Sequence, residues 1–482
     1  MRKKIEEILE NKCFVFVLLL LLLAVFAVIA SISQGSHGGG DDWHHHRISR
    51  YAFQYPHYFL DHWGKPIFTL LSSPFSQYGQ LGTKLYNVIC GILAAFFAYK
   101  LARGRDLQNP LLMVFFVLFA PIYAALMPSS MTEITGSLIL VLAVYLYFRD
   151  LPLWSAIVIS FIPFARTEGL LILPLFLIAF MLRRQWRHIP WLITATIIYS
   201  LVGWFHFKDL FWVFTKIPYH SGSFSIYGSG SILYYINRTK FIWGLPLAFL
   251  MIPGIGVHFY DLIRSRFSLK EKHIDEFLLI FLPLAGILAF HSLAWYLGTG
   301  ALALDRFMVL TIPLAAFFAL KGYNLIERLL SFRNFWLQLV LKFVVVYFIV
   351  ITPFNIYRFP VPLGESDMVL RDAMAWIKNQ GLDSNKIYYF HPSIFLFVDI
   401  DPHDRQLIQE FIPDNENPGN KMEPGSLLIW DAHYSANEGR LPVERVIESG
   451  NFEQLMVFRP KNPFKVIGNR DFEIYVFQKK PD

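Results

Sequence analysis

Apolar residues along this chain are gathered into long runs that begin at Phe14, recur to about Ile351 and then stop. A helix crosses the hydrocarbon core of a bilayer with about 20 apolar residues, and about 17–25 are tolerated. By that measure the pattern predicts spans over 13–32, 85–99, 110–126, 132–148, 152–164, 169–182, 190–206, 243–260, 276–294, 307–320 and 334–352. The expected fold is an all-α membrane domain with about 11 transmembrane helices. Several runs are short, and 152–164 with 169–182 would serve equally as one re-entrant pair. The first run is longer than the roughly 7–15 apolar residues of a cleaved signal, so it is expected to be retained as a span.

The tail has a different period. Residues 366–380 (SDMVLRDAMAWIKNQ) carry apolar positions at helical spacing. KIYYF (386–390), IFLFV (394–398), SLLIWD (426–431), EQLMVF (453–458) and FEIYVF (472–477) are short β-branched and aromatic runs that predict strands. The expected organisation is a membrane domain over 1–352, with a first outer loop at 33–84, followed by an α/β domain over 353–482.

Composition agrees with a bilayer. Of 482 residues, 55% are hydrophobic and 16% charged, against about 25% charged in soluble domains. The net charge of +7 would suggest nucleic acid in a soluble protein. Here it is read as anchoring charge, and no nucleic-acid partner is expected. With the N-terminus in the cytoplasm, the inner segments hold Arg2, Lys3, Lys4, Lys12, Lys100, Arg103, Arg105, Arg149, Arg183, Arg184, Arg187, Arg264, Arg266, Lys270, Lys272, Lys321, Arg328 and Arg333. That bias has the sign of the positive-inside rule. An odd number of spans then places residues 353–482 outside the cytoplasm. Cys13 and Cys90 both fall in predicted spans, so no disulfide framework is implied. No signal for retention in the endoplasmic reticulum is visible, and a bacterial inner membrane is the expected location.

Candidate chemistry sits in two places. The first outer loop reads GGGDDWHHHRISRYAFQYPHYFLDHWGKPIF and interleaves Asp41, Asp42, His44, His45, His46, His57, Asp61, His62 and Lys65 with many aromatic residues. Rings and carboxylates together make a platform for sugars; a wet surface loop is the plainer alternative. The second place is PFARTEGLLILPLF, which sets Arg166, Thr167 and Glu168 between apolar runs. Charges at such depth face a cavity or a partner, and an internal Arg166–Glu168 pair would also satisfy them. Glu133, Asp305 and Arg306 stand at other span ends on the same predicted side as Asp41, so these residues are expected to line one cavity that opens outward. His44 or His46 with Asp41 or Asp42 would offer ligands to a divalent ion, although adjacent histidines cannot all point one way and a closed site usually spaces its ligands. No P-loop, GxSxG, HExxH or CxxC is present.

An acidic pair just after the first span, a long outer loop, an Arg-x-Glu-Gly segment opening a later span and a C-terminal outer domain together resemble the C-type glycosyltransferases. These polytopic enzymes use lipid-phosphate-linked sugars and include protein mannosyltransferases and lipid A aminoarabinose transferases. PFARTEGLLILPLF is similar to their Arg-Pro-Glu-Gly segment, with Thr167 where proline is common. The acidic pair is Asp-Asp where many relatives have Asp-Glu, and the many histidines are not a general feature. The resemblance implies a polyprenyl-phosphate sugar donor, a lipid, glycan or protein acceptor, and no required cofactor. It implies Asp41, then Asp42, as the base that takes the acceptor's proton. Arg166, Arg306 and Lys65 would stabilise the leaving phosphate, and His44, Glu133 and Glu168 would bind substrate. Direct attack would invert the anomeric centre. A transporter or flippase of a lipid-linked saccharide is the alternative, and a non-catalytic scaffold the second.

Overall fold

The computed structural model describes residues 11–218, 228–268, 272–299, 302–330 and 335–481. Arg2, Lys3, Lys4, Lys270 and Arg333 lie outside the described residues. The chain forms two compact units. One takes the residues up to Gly38 and, for the most part, His45 to Val361; the other takes Gly39–His44 and the chain from Pro362 onward.

The first unit is helical. In chain order it is built on α1 (Lys12–Ile32), α2 (Gly40–Tyr51, whose first turn belongs to the second unit), α3 (Pro66–Ser76), α4 (Gly79–Gly104), α5 (Leu112–Leu118), α6 (Pro121–Leu126), α7 (Glu133–Phe148), α8 (Pro152–Ala165), α9 (Thr167–Leu182), α10 (Trp186–Phe207), α11 (Leu245–Arg264), α12 (His273–Leu297), α13 (Asp305–Leu329) and α14 (Phe335–Ile356). Among the described residues, seven helices (α1, α4 and α10–α14) are long and apolar enough to cross a membrane. The chain is thus a multi-pass integral membrane protein. The expected spans at 132–148, 152–164 and 169–182 appear as the shorter apolar helices α7, α8 and α9.

The expected span over 110–126 is broken. Ala120 is extended (φ −61°, ψ 127°) and Pro121 begins α6, because proline lacks the N–H that would continue α5. The first outer loop is itself mostly helix, through α2, a 3-10 turn at Pro56–Leu60, and α3. Helix α13 is the centre of the bundle, with 89% of its apolar window buried, whereas α14 has 6% and meets the bundle only along one edge. Two glycines let α11 and α13 touch backbone to backbone. A Cβ on Gly254 would stand 1.7 Å from the Phe318 carbonyl oxygen, and one on Gly322 would stand 1.8 Å from that of Leu250. Such close approach through small residues is how helices associate where no hydrophobic force drives them together.

Helix α12 begins in a buried ion-pair network. Glu276 receives Lys321 Nζ at 2.5 Å and Arg105 Nη2 at 2.8 Å. Asp275 pairs with Arg183 and accepts the Tyr147 hydroxyl at 3.1 Å. Arg105, Arg183 and Lys321 therefore do more than anchor the chain: they tie α4, α9 and α13 to α12.

The second unit is an α/β domain. Helix α15 (Glu365–Asn379) buries Val369, Leu370, Ala373, Met374 and Ile377 on a single amphipathic face. Its end is set by Gly381 (φ 69°), with Leu382 N–H returning to the Ile377 carbonyl at 3.1 Å in the manner of a glycine-terminated helix. The strands are β1 (Ile387–Tyr389), β2 (Ile408–Glu410), β3 (Leu427–Asp431), β4 (Phe452–Phe458), β5 (Lys465–Val466), β6 (Arg470–Asp471) and β7 (Ile474–Lys479). The main sheet has the order β2-β1-β3-β7-β4, parallel across β2-β1-β3 and antiparallel across β3-β7-β4. The strand expected at IFLFV is absent. Pro392 opens a 3-10 turn over Pro392–Leu396, and the His391 ring accepts the Ser393 N–H. The apolar side chains fill the core from this turn: Ile394 is buried and Phe395 packs edge-on against Tyr389 at 5.4 Å.

Candidate functional site

In the helical unit, four segments bring charged side chains to one place. Helix α7 starts at Glu133, which is fully buried. A carboxylate in a first turn is favoured by the unpaired N–H groups there. Helix α8 ends at Ala165, Arg166 is extended (φ −147°, ψ 126°), and a 3-10 turn over Thr167–Leu171 follows. Pro163 interrupts the helical ladder just before the break. Gly169 lets the turn fold back, since a Cβ there would meet Ile162 at 2.7 Å.

The extended backbone directs the Arg166 side chain inward. Its Nη1 donates to Glu133 Oε1 (2.9 Å) and Thr132 Oγ1 (3.2 Å). Its Nη2 donates to Glu168 Oε1 (2.6 Å) and its Nε to Glu168 Oε2 (3.2 Å). The second pair is the two-pronged geometry that a planar guanidinium makes with a carboxylate. Gly136 leaves space for the arginine stem, because a Cβ there would lie 2.8 Å from Arg166 Cγ.

Arg306, at the start of α13, brings Nε to 3.5 Å from Glu133 Oε1 and donates to the Gly38 carbonyl at 3.2 Å. Lys65, just before α3, donates to Thr167 Oγ1 at 3.1 Å. Its backbone (φ 61°, ψ 99°) lies where glycine is usual, a strain of about 1–3 kcal/mol. The strain is held by Asp61 Oδ1 accepting the Gly64 N–H (2.8 Å) and by the Thr69 N–H bonded to the Lys65 carbonyl (2.9 Å). A small open cleft lies beside Lys65 and Thr167, with Pro163, Phe164, Val213 and Phe214 among its apolar walls.

His45 was one of many histidines in the sequence, and nothing there singled it out from His44. The structure places its buried ring among these cations. Burial, followed by the charges of Lys65, Arg306 and Arg166, holds its pKa well below the ordinary value, so the ring is neutral. His46 bonds Thr83 Oγ1 through Nδ1 at 2.8 Å. Asp305, grouped with Arg306 from the sequence, pairs through both carboxylate oxygens with Arg238. Among the described residues no three His, Cys, Asp or Glu side chains are grouped as metal ligands.

Asp41, Asp42 and His44 belong to the second unit, in the first turn or so of α2. Asp42 is fully buried. Gly40 lies flat on the C-terminal domain, where a Cβ would stand 2.0 Å from the Tyr434 hydroxyl and 2.7 Å from Pro392. The IWDAHY segment ends β3 in a tight turn, with Asp431 Oδ1 accepting the N–H groups of His433 (3.0 Å) and Tyr434 (2.7 Å).

Carboxylates crowd this region. Burial raises Asp367, and the charge of Asp42 adds to the rise. Burial of the Glu438 carboxyl, with Asp41, Asp431 and Glu410 nearby, pushes it up to about 7. An acid raised in the folded state binds its proton more tightly there, so its contribution to stability fades as pH climbs from 4.5 through about 7. In the full chain, Glu438→Gln is expected to flatten the fall in unfolding temperature of the C-terminal domain across that window. Parallel pH profiles for the two proteins would contradict this.

By sequence the chain matches no protein-family profile and no curated protein. Its fold does match. The structure of ArnT from Cupriavidus metallidurans bound to undecaprenyl phosphate superposes with a TM-score of 0.63 at 11% identity, over 96% of this chain and 97% of that one. The apo state of the same protein gives 0.57 at 12% identity over the same shares. An oligosaccharyltransferase from Archaeoglobus fulgidus, tethered to an acceptor peptide, gives 0.49 at 13% identity, over 79% of this chain and 62% of that one. The chain thus has the C-type glycosyltransferase fold expected from its acidic pair and its Arg-x-Glu-Gly segment.

Proposed function

We propose that this protein is a membrane glycosyltransferase that moves a sugar from a polyprenyl-phosphate donor to a lipid, glycan or protein acceptor on the outer face of a bacterial inner membrane. The observation that carries the reading is Lys65 on an apolar cleft, bonded to Thr167, while the neighbouring Arg166 meets Arg306 at Glu133. The cleft suits an isoprenoid tail. Lys65 at its edge suits a phosphate, through a charge-assisted hydrogen bond of the kind lysine and arginine make. The neutral His45 ring adds no competing charge.

In the reaction, the acceptor's hydroxyl or amine attacks the anomeric carbon, and the bond from that carbon to the phosphate oxygen breaks. The electron pair leaves on the lipid phosphate, held by Lys65 and Arg306. The acceptor's proton passes to Asp41, or failing it to Asp42. One displacement inverts the anomeric centre and needs no second carboxylate nucleophile. The fold shared with a protein that binds undecaprenyl phosphate supports this choice of donor.

The test is transfer by the detergent-solubilised protein from radiolabelled polyprenyl-phosphate sugar to membrane lipid. A labelled product is expected, and Lys65→Met should weaken binding of bare undecaprenyl phosphate about tenfold, a loss in keeping with one charge-assisted bond. No transfer from any donor of the native membrane would overturn the proposal.

A further inference from the structure

Buried polar groups in native proteins nearly always have partners, and each exception calls for an explanation. Two such exceptions stand side by side near Glu168. Tyr235 is completely buried; its hydroxyl lies close to the Leu304 carbonyl but makes no well-aligned hydrogen bond among the described residues. His291, 5% exposed, leaves both ring nitrogens without an aligned bond. The two rings meet edge to face at 6.3 Å. His291 Nε2 stands 3.3 Å from Glu168 Oε1. Its ring stacks on Phe307 at 4.3 Å, and the Arg166 guanidinium lies 5.6 Å from that same phenyl ring.

The charge of this corner selects what it can hold. Arg166 is already matched by Glu133 and Glu168. What remains is a carboxylate edge, a hydroxyl and an imidazole. A second anion would be repelled by Glu168. A ring bearing hydroxyl or amino groups would meet a donor and acceptor at Tyr235, a donor or acceptor at His291 and an acceptor at Glu168. We infer that Tyr235, His291 and Glu168 form the subsite that reads the sugar of the donor, while Lys65 and Arg306 hold its phosphate. This inference rests on the glycosyltransferase reading and divides that site into a phosphate half and a sugar half.

The division can be tested with Tyr235→Phe and His291→Phe. The first removes one oxygen. The second removes both nitrogens and keeps a ring to stack on Phe307. The probes are bare undecaprenyl phosphate and the same lipid carrying mannose, glucose or 4-amino-arabinose. Wild-type protein should bind at least one sugar-bearing lipid more tightly than the bare one. Each variant should bind the bare lipid as wild type does and lose about tenfold on that sugar-bearing lipid, as expected when site groups built for a substrate hydroxyl are removed. A purely structural role would show as a lower melting temperature with unchanged discrimination among the lipids. Variants that still discriminate like wild type, or a wild type that gains nothing from any of the sugars, would overturn the subsite and leave phosphate binding standing. A wild type that binds no lipid at all would remove the glycosyltransferase reading as well.

Discussion

Asp41→Asn is expected to leave bare undecaprenyl phosphate binding unchanged and to slow sugar transfer about 10²–10⁴-fold, the usual worth of a positioned general base. The amide keeps the shape of the acid and its place in the first turn of α2, but it cannot take a proton. Initial transfer rates and lipid binding, measured on one preparation, separate the two effects. A rate within twofold of wild type would show that Asp41 is not the base. Asp42→Asn would then be the variant to lose turnover. The substitution has a second readout that is independent of activity. Burial holds Glu438 up at about 7, and the charge of Asp41 adds to the rise. Its removal should bring Glu438 back toward the ordinary carboxylate range and narrow the pH window of the C-terminal domain.

What could be read from the sequence follows from what is local. The long apolar helices and the sheet strands at 387–389, 427–431, 452–458 and 474–479 were visible, because hydropathy and alternation are properties of short windows; the number of spans was not. The cluster of Glu133, Arg166, Glu168 and Arg306 was legible as a consequence of topology, since charged residues at the ends of apolar runs on one side have few places to go. Its internal order was not legible. No local signal says that Gly136 exists to clear the Arg166 stem, or that Lys65 bonds Thr167 across the bundle. Tyr235 and His291 were missed for the same reason: an isolated histidine or tyrosine in an apolar stretch has no pattern; His45 stood among the loop histidines, and nothing local set it apart from its neighbours. The strand expected at IFLFV failed because composition there favours β structure while Pro392 and the His391 cap fix a turn.

The other large effect is expected at Arg166. Arg166→Met would leave Glu133, fully buried, and Glu168, 11% exposed at its side chain, without the guanidinium that now bonds both. Removing one partner of a buried pair costs about 3–5 kcal/mol, chiefly because the other charge stays behind. Thermal unfolding in detergent should show a clear drop, and transfer should fail with it. A drop in stability alone would not say whether the charges matter beyond each other. The triple variant Arg166→Met, Glu133→Gln, Glu168→Gln separates these roles, since replacing all the charges together removes the stranded carboxylates. It should regain most of the lost stability and none of the transfer, because the guanidinium and the Glu168 carboxylate beside His291 would both be gone. Arg166→Lys should fall between the two: an ammonium is a point charge that can satisfy one carboxylate well and cannot span both. If Arg166→Met melts like wild type, the carboxylates must be protonated or rehydrated in its absence, and the picture of a guanidinium clamped between two buried acids would have to be given up.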